Sequence, residues 1–292
     1  MEKMRYRTKM IGVVTLYNPD AQNAAANMKR YIDELDALVV WDNSPLELNC
    51  KQQLQELLGD YFSKVIWHGT GSNSFIAPAI NFVWHYAQEH GFNLVLIMDQ
   101  DSQWEHFRYY REEIDDLFCS GNIEVFTPYI QGLDFWTVDQ DVVPRRIFIN
   151  SGTVIPLSIL DSIQGADETF ALDALDYDLA IRIRKRDYPI VCLTKHVLQH
   201  TIGKPKRSSL LKLYTPDYGA ARTYSIVSSH ILNYRKNRRW MNGYERRKVL
   251  TEFLFWKLVR ILFAEDEKWS RLRNYLKGIK DGVLFDLSKT KP

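Results

Sequence analysis

Two aspartates one residue apart, Asp99 and Asp101, follow directly on the apolar run Leu94-Val-Leu-Ile-Met98. A short apolar run of this kind, partly β-branched, reads as a buried strand of a parallel sheet. Such a strand delivers both carboxylates to the carboxyl edge of the sheet, where open α/β sheets bind their ligands. Hard carboxylate oxygens there suit Mg²⁺ or Mn²⁺, with a phosphate as co-ligand. The plainer alternative is a solvated, Asp-rich turn. A second acidic cluster, Asp173-Ala-Leu-Asp176-Tyr-Asp178, runs into a helical pattern marked by Leu179, Ile181 and Ile183. Asp173 and Asp176 share a helical face if that helix begins early. Asp178 lies on another face, four residues before Arg182, a spacing that suits a structural ion pair.

The elements that must position these acids alternate regularly. Strands are predicted at Lys9–Leu16, Ala37–Trp41, Lys64–His68 and Asn93–Met98. Between them fall a helix with Met28, Tyr31, Ile32 and Leu35 on one face, a helix around Leu48–Leu58, and a helix starting near Pro78 and stopped by Gly91. This β-α-β-α-β-α-β order predicts a mostly parallel sheet with right-handed crossovers. It gathers Tyr17, Asp42, the His68–Asn73 loop and Asp99 near one edge. Further on, a helix over Glu105–Phe118 and strands at Ile123–Thr127, Arg146–Asn150, Gly152–Pro156, Ile190–Leu193 and Val197–Leu198 are expected. The polar and aromatic stretch from Tyr129 to Pro144 is expected to be irregular or a short hairpin. From Leu210 the chain is helical and basic, and Arg246–Phe263 reads as an amphipathic helix with aromatics.

The chain of 292 residues has a net charge of only +2, but the charge is divided unevenly. Residues 1–181 hold 12 Lys and Arg against 27 Asp and Glu, whereas residues 182–292 hold 26 against 9. A basic segment of this kind is expected to face an anionic partner, or else the acidic half of its own chain. No recognition-helix or RNP-like motif points to nucleic acid. The three cysteines, Cys50, Cys119 and Cys192, form neither a zinc spacing nor a disulfide framework, which fits a reducing cytoplasm. The N-terminus has no signal-peptide core, and no run approaches the ~20 apolar residues of a membrane span.

Several pieces, taken in order, resemble the family-2 glycosyltransferases of the GT-A fold, most closely the bacterial rhamnosyltransferase branch. They are Val14-Thr-Leu-Tyr-Asn-Pro19, Val39-Val-Trp-Asp-Asn-Ser44, the segment from Asn73 to Asn81, Leu96-Ile-Met-Asp-Gln-Asp-Ser102, Asn150-Ser-Gly152, Asp173-x-x-Asp176-x-Asp178 with Arg182, and His200-x-x-Gly203. Together they cover about residues 10–205. The resemblance implies a GT-A α/β domain over 1–205, followed by a basic helical region over 206–292. In one respect the chain departs from the pattern: the family usually has glycine two residues after Asn73, and here that position is Phe75.

What the resemblance implies for chemistry can be written residue by residue. Asp101, with Asp99, would hold Mg²⁺ or Mn²⁺, with His200 as third ligand or phosphate contact. Asp176 matches the family's general base, which removes the acceptor hydroxyl's proton. Asp42 would accept from the imide of uracil or thymine, and Thr15, Tyr17 and Asn43 would frame the ring; Asn73 would lie in the donor-binding segment. Trp104, Phe135 and Trp136 are candidates for stacking on sugar faces, though aromatic side chains are as often core. The implied activity is inverting transfer of rhamnose or a related hexose from a dTDP- or UDP-sugar to a glycan or lipid-linked glycan, as in bacterial surface polysaccharide synthesis. Expected partners are the donor and the acceptor, with no nucleic acid; the basic, aromatic helix Arg246–Phe263, read from its own residues, is expected either to lie on an anionic membrane, at the inner face of the plasma membrane, or to pack on the α/β domain or on a second subunit of a homo-oligomer. The competing reading is a catalytically silent binding module that acts through its basic tail.

Overall fold

The computed structural model describes residues 7–134, 140–170, 172–200, 206–207, 214–215 and 217–292. Phe135, Trp136 and Gly203 lie outside them. By its internal contacts the chain divides into two units, one formed by residues 1–166 and 182–201, the other by 167–181 and 202–292.

In the first unit the predicted alternation is present: β1 (Met10–Leu16), α1 (Ala21–Lys29), β2 (Ala37–Pro45), α2 (Lys51–Leu58), β3 (Val65–Gly71), α3 (Ala77–His90) and β4 (Leu94–Asp99). There follow β5 (Gln103–Trp104), α4 (Phe107–Cys119), β6 (Val125–Gln131), β7 (Val142–Pro144), β8 (Thr153–Pro156), α5 (Leu157–Ile163), α6 (Leu175–Arg184), which runs on from the second unit, and β9 (Ile190–Gln199). The strands form one mixed sheet in the order β3-β2-β1-β4-β8-β6-β9-β5, with β7 on β9. Strands β1 to β4 are mutually parallel, β8 runs antiparallel to β4, and β6 is parallel to β9.

Residues Leu94 to Met98 are all buried, in the centre of the sheet. Burying each such side chain stabilises by about 1.5–3 kcal/mol, which fixes β4 and hence the place of the acids that follow. In register, Thr15 lies beside Trp41 on one flank and Asp99 on the other, and Leu16 beside Asp42, so these strand ends share one edge.

Three expectations are corrected. Arg146–Asn150 is not a strand: the local strand is Val142–Pro144, which pairs with β9, and the apolar alternation of Arg146-Ile-Phe-Ile-Asn150 belongs to an irregular segment that buries Phe148. The two short strands near 190 and 197 are one strand, β9, whose register on β6 shifts between Pro128 and Tyr129. Trp104 is buried, donates to Met98 Sδ at 3.4 Å and packs on Phe107 and Tyr110, so it is core and not a sugar platform.

The second unit contains the acidic segment and the helices α7 (Ala220–Asn237), α8 (Gly243–Lys248), α9 (Lys257–Phe263) and α10 (Lys268–Leu284), with a π-helical stretch, Val249–Trp256, joining α8 to α9. A two-stranded ribbon, β10 (Lys206–Arg207) and β11 (Tyr214–Thr215), precedes them. Val227, Ile231, Ile261 and Tyr275 form the core of the bundle. Helices α7 and α10 approach closely because Gly282 faces α7: a Cβ there would lie 2.8 Å from Ser228 O. Arg235 on α7 donates to Gly282 O and Phe285 O, closing the carbonyl end of α10.

A candidate metal centre and two strained loops

The pairing of β5 with β9 sets Gln103 against Gln199 and Trp104 against Leu198. That register carries His200 back to the turn after β4, although 98 residues separate it from Ser102. Asp99, Asp101 and His200 each offer a ligand atom, and these atoms all lie within 4.8 Å of one another. His200 Nδ1 is 3.8 Å from Asp101 Oδ1. Two carboxylates and one imidazole, with a largely exposed Asp101, make an open oxygen-rich set that fits Mg²⁺ or Mn²⁺ and leaves room for phosphate oxygens. The sequence-predicted metal residues are therefore brought together.

Beneath the set run two fully buried hydroxyls, Ser102 and Ser151, which stand in the motifs given above but receive no role from the sequence. Asp99 N–H donates to Ser151 Oγ at 3.1 Å, Ser151 Oγ donates to Ser102 Oγ at 2.7 Å, and Ser102 Oγ lies 2.8 Å from His200 Nδ1. The chain of bonds ties the β4 backbone to the imidazole. Ser151 is held in place by its neighbour Gly152, at φ 78°, where a Cβ would fall 2.8 Å from Leu198 and from Pro128. Gly152 N–H in turn donates to Ile97 O at 2.8 Å. Hydrogen-bonded partners of this kind orient metal-binding histidines.

At the neighbouring strand ends, Tyr17 N–H donates to Gln100 Oε1 at 2.8 Å, and the Tyr17 ring is exposed. Thr15 is partly buried, whereas Asp42 is fully buried and accepts from Ser44 N–H at 2.9 Å. Asn43 is committed to the loop after β3. Its Oδ1 accepts from Ser74 N–H at 3.0 Å and Ser74 Oγ at 2.8 Å, and its Nδ2 donates to Phe75 O at 2.9 Å. Asn73 is exposed and closes an Asx turn by accepting from Phe75 N–H at 2.9 Å. Through Asn43, the end of β2 shapes the backbone of the loop after β3.

Phe75 itself has φ 66°, the left-handed region that glycine prefers. The backbone makes the turn that glycine would make although the residue is phenylalanine, and the ring stands exposed. A bulky side chain there is disfavoured by about 1–2 kcal/mol, offset here by the Asn43 and Asn73 bonds. Replacing Phe75 with Gly should leave stability within about 1 kcal/mol or raise it, because relief of strain exceeds the added freedom of the unfolded chain. Phe75→Val, β-branched, should lower it by about 1 kcal/mol or more. Urea titration of both variants checks the pair.

In the second unit, Ala174 at φ 60° makes a tight turn, and α6 begins immediately after it. Asp176 lies in the first turn of α6, partly buried, with Oδ1 accepting from Tyr177 N–H at 2.9 Å. Burial, reinforced by the charge of Asp173 and opposed by that bond and by Lys248, pushes its carboxyl up to about 7. The other two acids of the cluster are engaged differently. Asp173 is paired with Arg222 at 3.0 Å, and Asp178 takes Lys236 Nζ at 2.7 Å and Asn237 Nδ2 at 2.9 Å. Behind Asp176, Tyr177 meets His230 and Phe253 edge-on, and His230, pushed down to about 3 chiefly by burial, is neutral.

No family model and no curated sequence matches the chain. Solved structures do match its fold. A mannosyltransferase, PcManGT from Pyrobaculum calidifontis in complex with GDP-Man and Mn²⁺, aligns with a TM-score of 0.58 at 14% identity, over 97% of this chain and 78% of that one. TarS residues 1–349 from S. aureus aligns with a TM-score of 0.53 at 16% identity, over 94% and 81%. GalNAc-T7 with UDP, GalNAc and Mn²⁺ aligns with a TM-score of 0.54 at 10% identity, over 84% of this chain but only 55% of that one. At these identities the likeness establishes the fold: a GT-A-type α/β sheet flanked by helices, with C-terminal helices.

Proposed function

We propose that this chain is a metal-dependent glycosyltransferase that moves a hexose from a nucleoside diphosphate to a hydroxyl, with inversion. The observation that carries the proposal is the meeting of Asp99, Asp101 and His200 at the carboxyl edge of a GT-A sheet. These three would hold Mg²⁺ or Mn²⁺, which when bound neutralises the negative charge that builds on the departing diphosphate. Thr15, Tyr17 and Asp42 stand at the strand ends assigned to the base, and Asn43 and Asn73 act there through the loop they shape. Asp176 accepts the proton of the acceptor hydroxyl as the hydroxyl attacks the anomeric carbon. Displacement by the hydroxyl itself, with no enzyme-bound sugar, inverts that carbon.

The sequence resemblance favours a dTDP- or UDP-sugar, with rhamnose as the hexose and a glycan or lipid-linked glycan as acceptor. Such a role belongs to surface polysaccharide synthesis on the cytoplasmic side of a membrane. The similar solved structures include complexes with GDP-Man and with UDP-GlcNAc, so both nucleotides belong in the test. Thermal unfolding with a panel of nucleotide-sugars and Mn²⁺ is the direct measurement. A donor at 100 times its dissociation constant adds about 2.7 kcal/mol, or roughly 4 °C for a chain of this size. The expected result is a shift of that size for a dTDP- or UDP-sugar that needs Mn²⁺. A panel in which no nucleotide-sugar shifts the midpoint would leave the binding-module reading in its place.

A further inference from the structure

The run of α8, π-helix and α9, Gly243–Phe263, is apolar on two opposite sides. One side carries Val249 and Ile261, which are buried, and Leu254 and Leu258, which pack on the bundle core. A helix that covers a core normally turns a polar side outward. Here the outward positions are Leu250, Phe255, Trp256, Leu262 and Phe263, each 39–58% exposed. At the ends of the run stand two further exposed rings, Trp240 at 54% and Trp269 at 85%.

The exposed charge of the segment that carries this face is one-sided. Among exposed residues of 217–292, nine are Lys or Arg and three are Asp or Glu. Arg246 and Arg247 are exposed in the first turns of the run. On α10, Trp269, Arg273 and Lys277 line a single cavity of about 490 Å³ with Ser270 and Asn274. Of the acids in and beside the run, Glu245 is buried and caps α8 by accepting from Asn242 N–H, Glu252 pairs with Arg260, and Glu265 is buried against Lys257 and Arg271, which leaves Asp266 and Glu267 exposed just past its end.

We propose that this apolar face, in a segment rich in exposed cations and with an exposed tryptophan on either side of the run in sequence, lies on an anionic membrane surface. Aliphatic and aromatic side chains on one side of a helix, flanked by Lys and Arg, bind the headgroup boundary of acidic bilayers in this way. Tryptophan favours the same boundary. No helix among the described residues is long and apolar enough to cross a membrane, so the contact is one of lying on the surface. A second copy of the chain fits less well, because it would bring two positive surfaces together. The face is read independently of the transfer reaction, although a surface-bound enzyme would reach a lipid-linked acceptor.

The test is co-sedimentation of the full chain with vesicles of phosphatidylcholine alone or with one third phosphatidylserine, at low and high salt. The chain should pellet with the anionic vesicles, weaken at least tenfold in high salt, and stay in solution with the neutral ones. Phe255→Ser with Leu262→Ser and Phe263→Ser should lose at least tenfold in vesicle binding. Arg246→Glu with Arg247→Glu should lose a similar amount through charge alone. All these positions are exposed, and unchanged unfolding midpoints would confirm intact folds. A chain that ignores anionic vesicles overturns the proposal, as does equal binding to neutral ones. A dimer in sedimentation velocity that dissociates in the triple variant would assign the face to a second copy instead.

Discussion

Asp176→Asn is expected to slow sugar transfer by roughly 10²–10⁴ and, at the same time, to make the protein more stable above neutral pH. The two effects have one cause. The carboxyl is held at about 7, chiefly by burial. An unfolded aspartate titrates near 3.9. Between those values the folded chain binds more protons than the unfolded one, so stability falls as the pH rises from about 4 to about 7. Above that window the folded protein carries the full penalty of an unfavourable carboxylate. With allowance for the partial exposure of the side chain, removing the charge should return about 1–3 kcal/mol at pH 8 and almost nothing at pH 4. Urea unfolding at the two pH values reads the difference. A positioned base contributes roughly 10²–10⁴ in rate, so turnover should fall by that factor. Wild-type kcat/KM should rise with pH through about 7, and the inflection should vanish in the variant. A variant that transfers sugar normally yet shows the gain in stability would make Asp176 a structural acid and remove it from the mechanism.

Much of this arrangement is legible in the sequence because it is built from local signals. Strand β4 is an uninterrupted apolar run, α3 is closed by Gly91, and both acidic clusters are contiguous, so periodicity and turn chemistry suffice. Other features depend on pairing across distance. Strand β5 has two residues, and β9 continues past Leu193 only because β6 and β5 lie beside it. The alternation in Arg146-Ile-Phe-Ile-Asn150 resembles a strand but lies beside none, since β7 occupies the edge of β9 just before it. The roles of Ser102 and Ser151 are invisible for the same reason: a serine acquires meaning from what it bonds, and here the bonds span 98 and 49 residues. Asn43 reads as part of a turn until the loop from Ser74 to Phe75 is folded onto it. The glycine position taken by Phe75 is the opposite case. The sequence signals a departure, while the backbone turn is the one glycine would make.

The largest expected loss in binding comes from Asp101→Ala. Asp101 is the most exposed member of the metal set, with 55% of its side chain accessible, so alanine there removes a ligand without opening the core. The unfolding midpoint without nucleotide should therefore stay within about 2 °C of wild type, as for most surface substitutions. The Mn²⁺-dependent part of nucleotide-sugar affinity should disappear, which calorimetry with and without chelator would record as a ratio near one. Ser102→Ala tests the support beneath the same set. It keeps all three candidate ligands but frees His200 Nδ1 from its hydroxyl partner, and loss of such support lowers metal affinity about 10–100-fold. The metal-free affinity should be unchanged in both variants, because neither residue stands at the strand ends assigned to the base. If Asp101→Ala keeps the wild-type dependence on Mn²⁺, the carboxylates are not ligands. If Ser102→Ala keeps it while Asp101→Ala loses it, the metal rests on the two aspartates and His200 serves the phosphate instead.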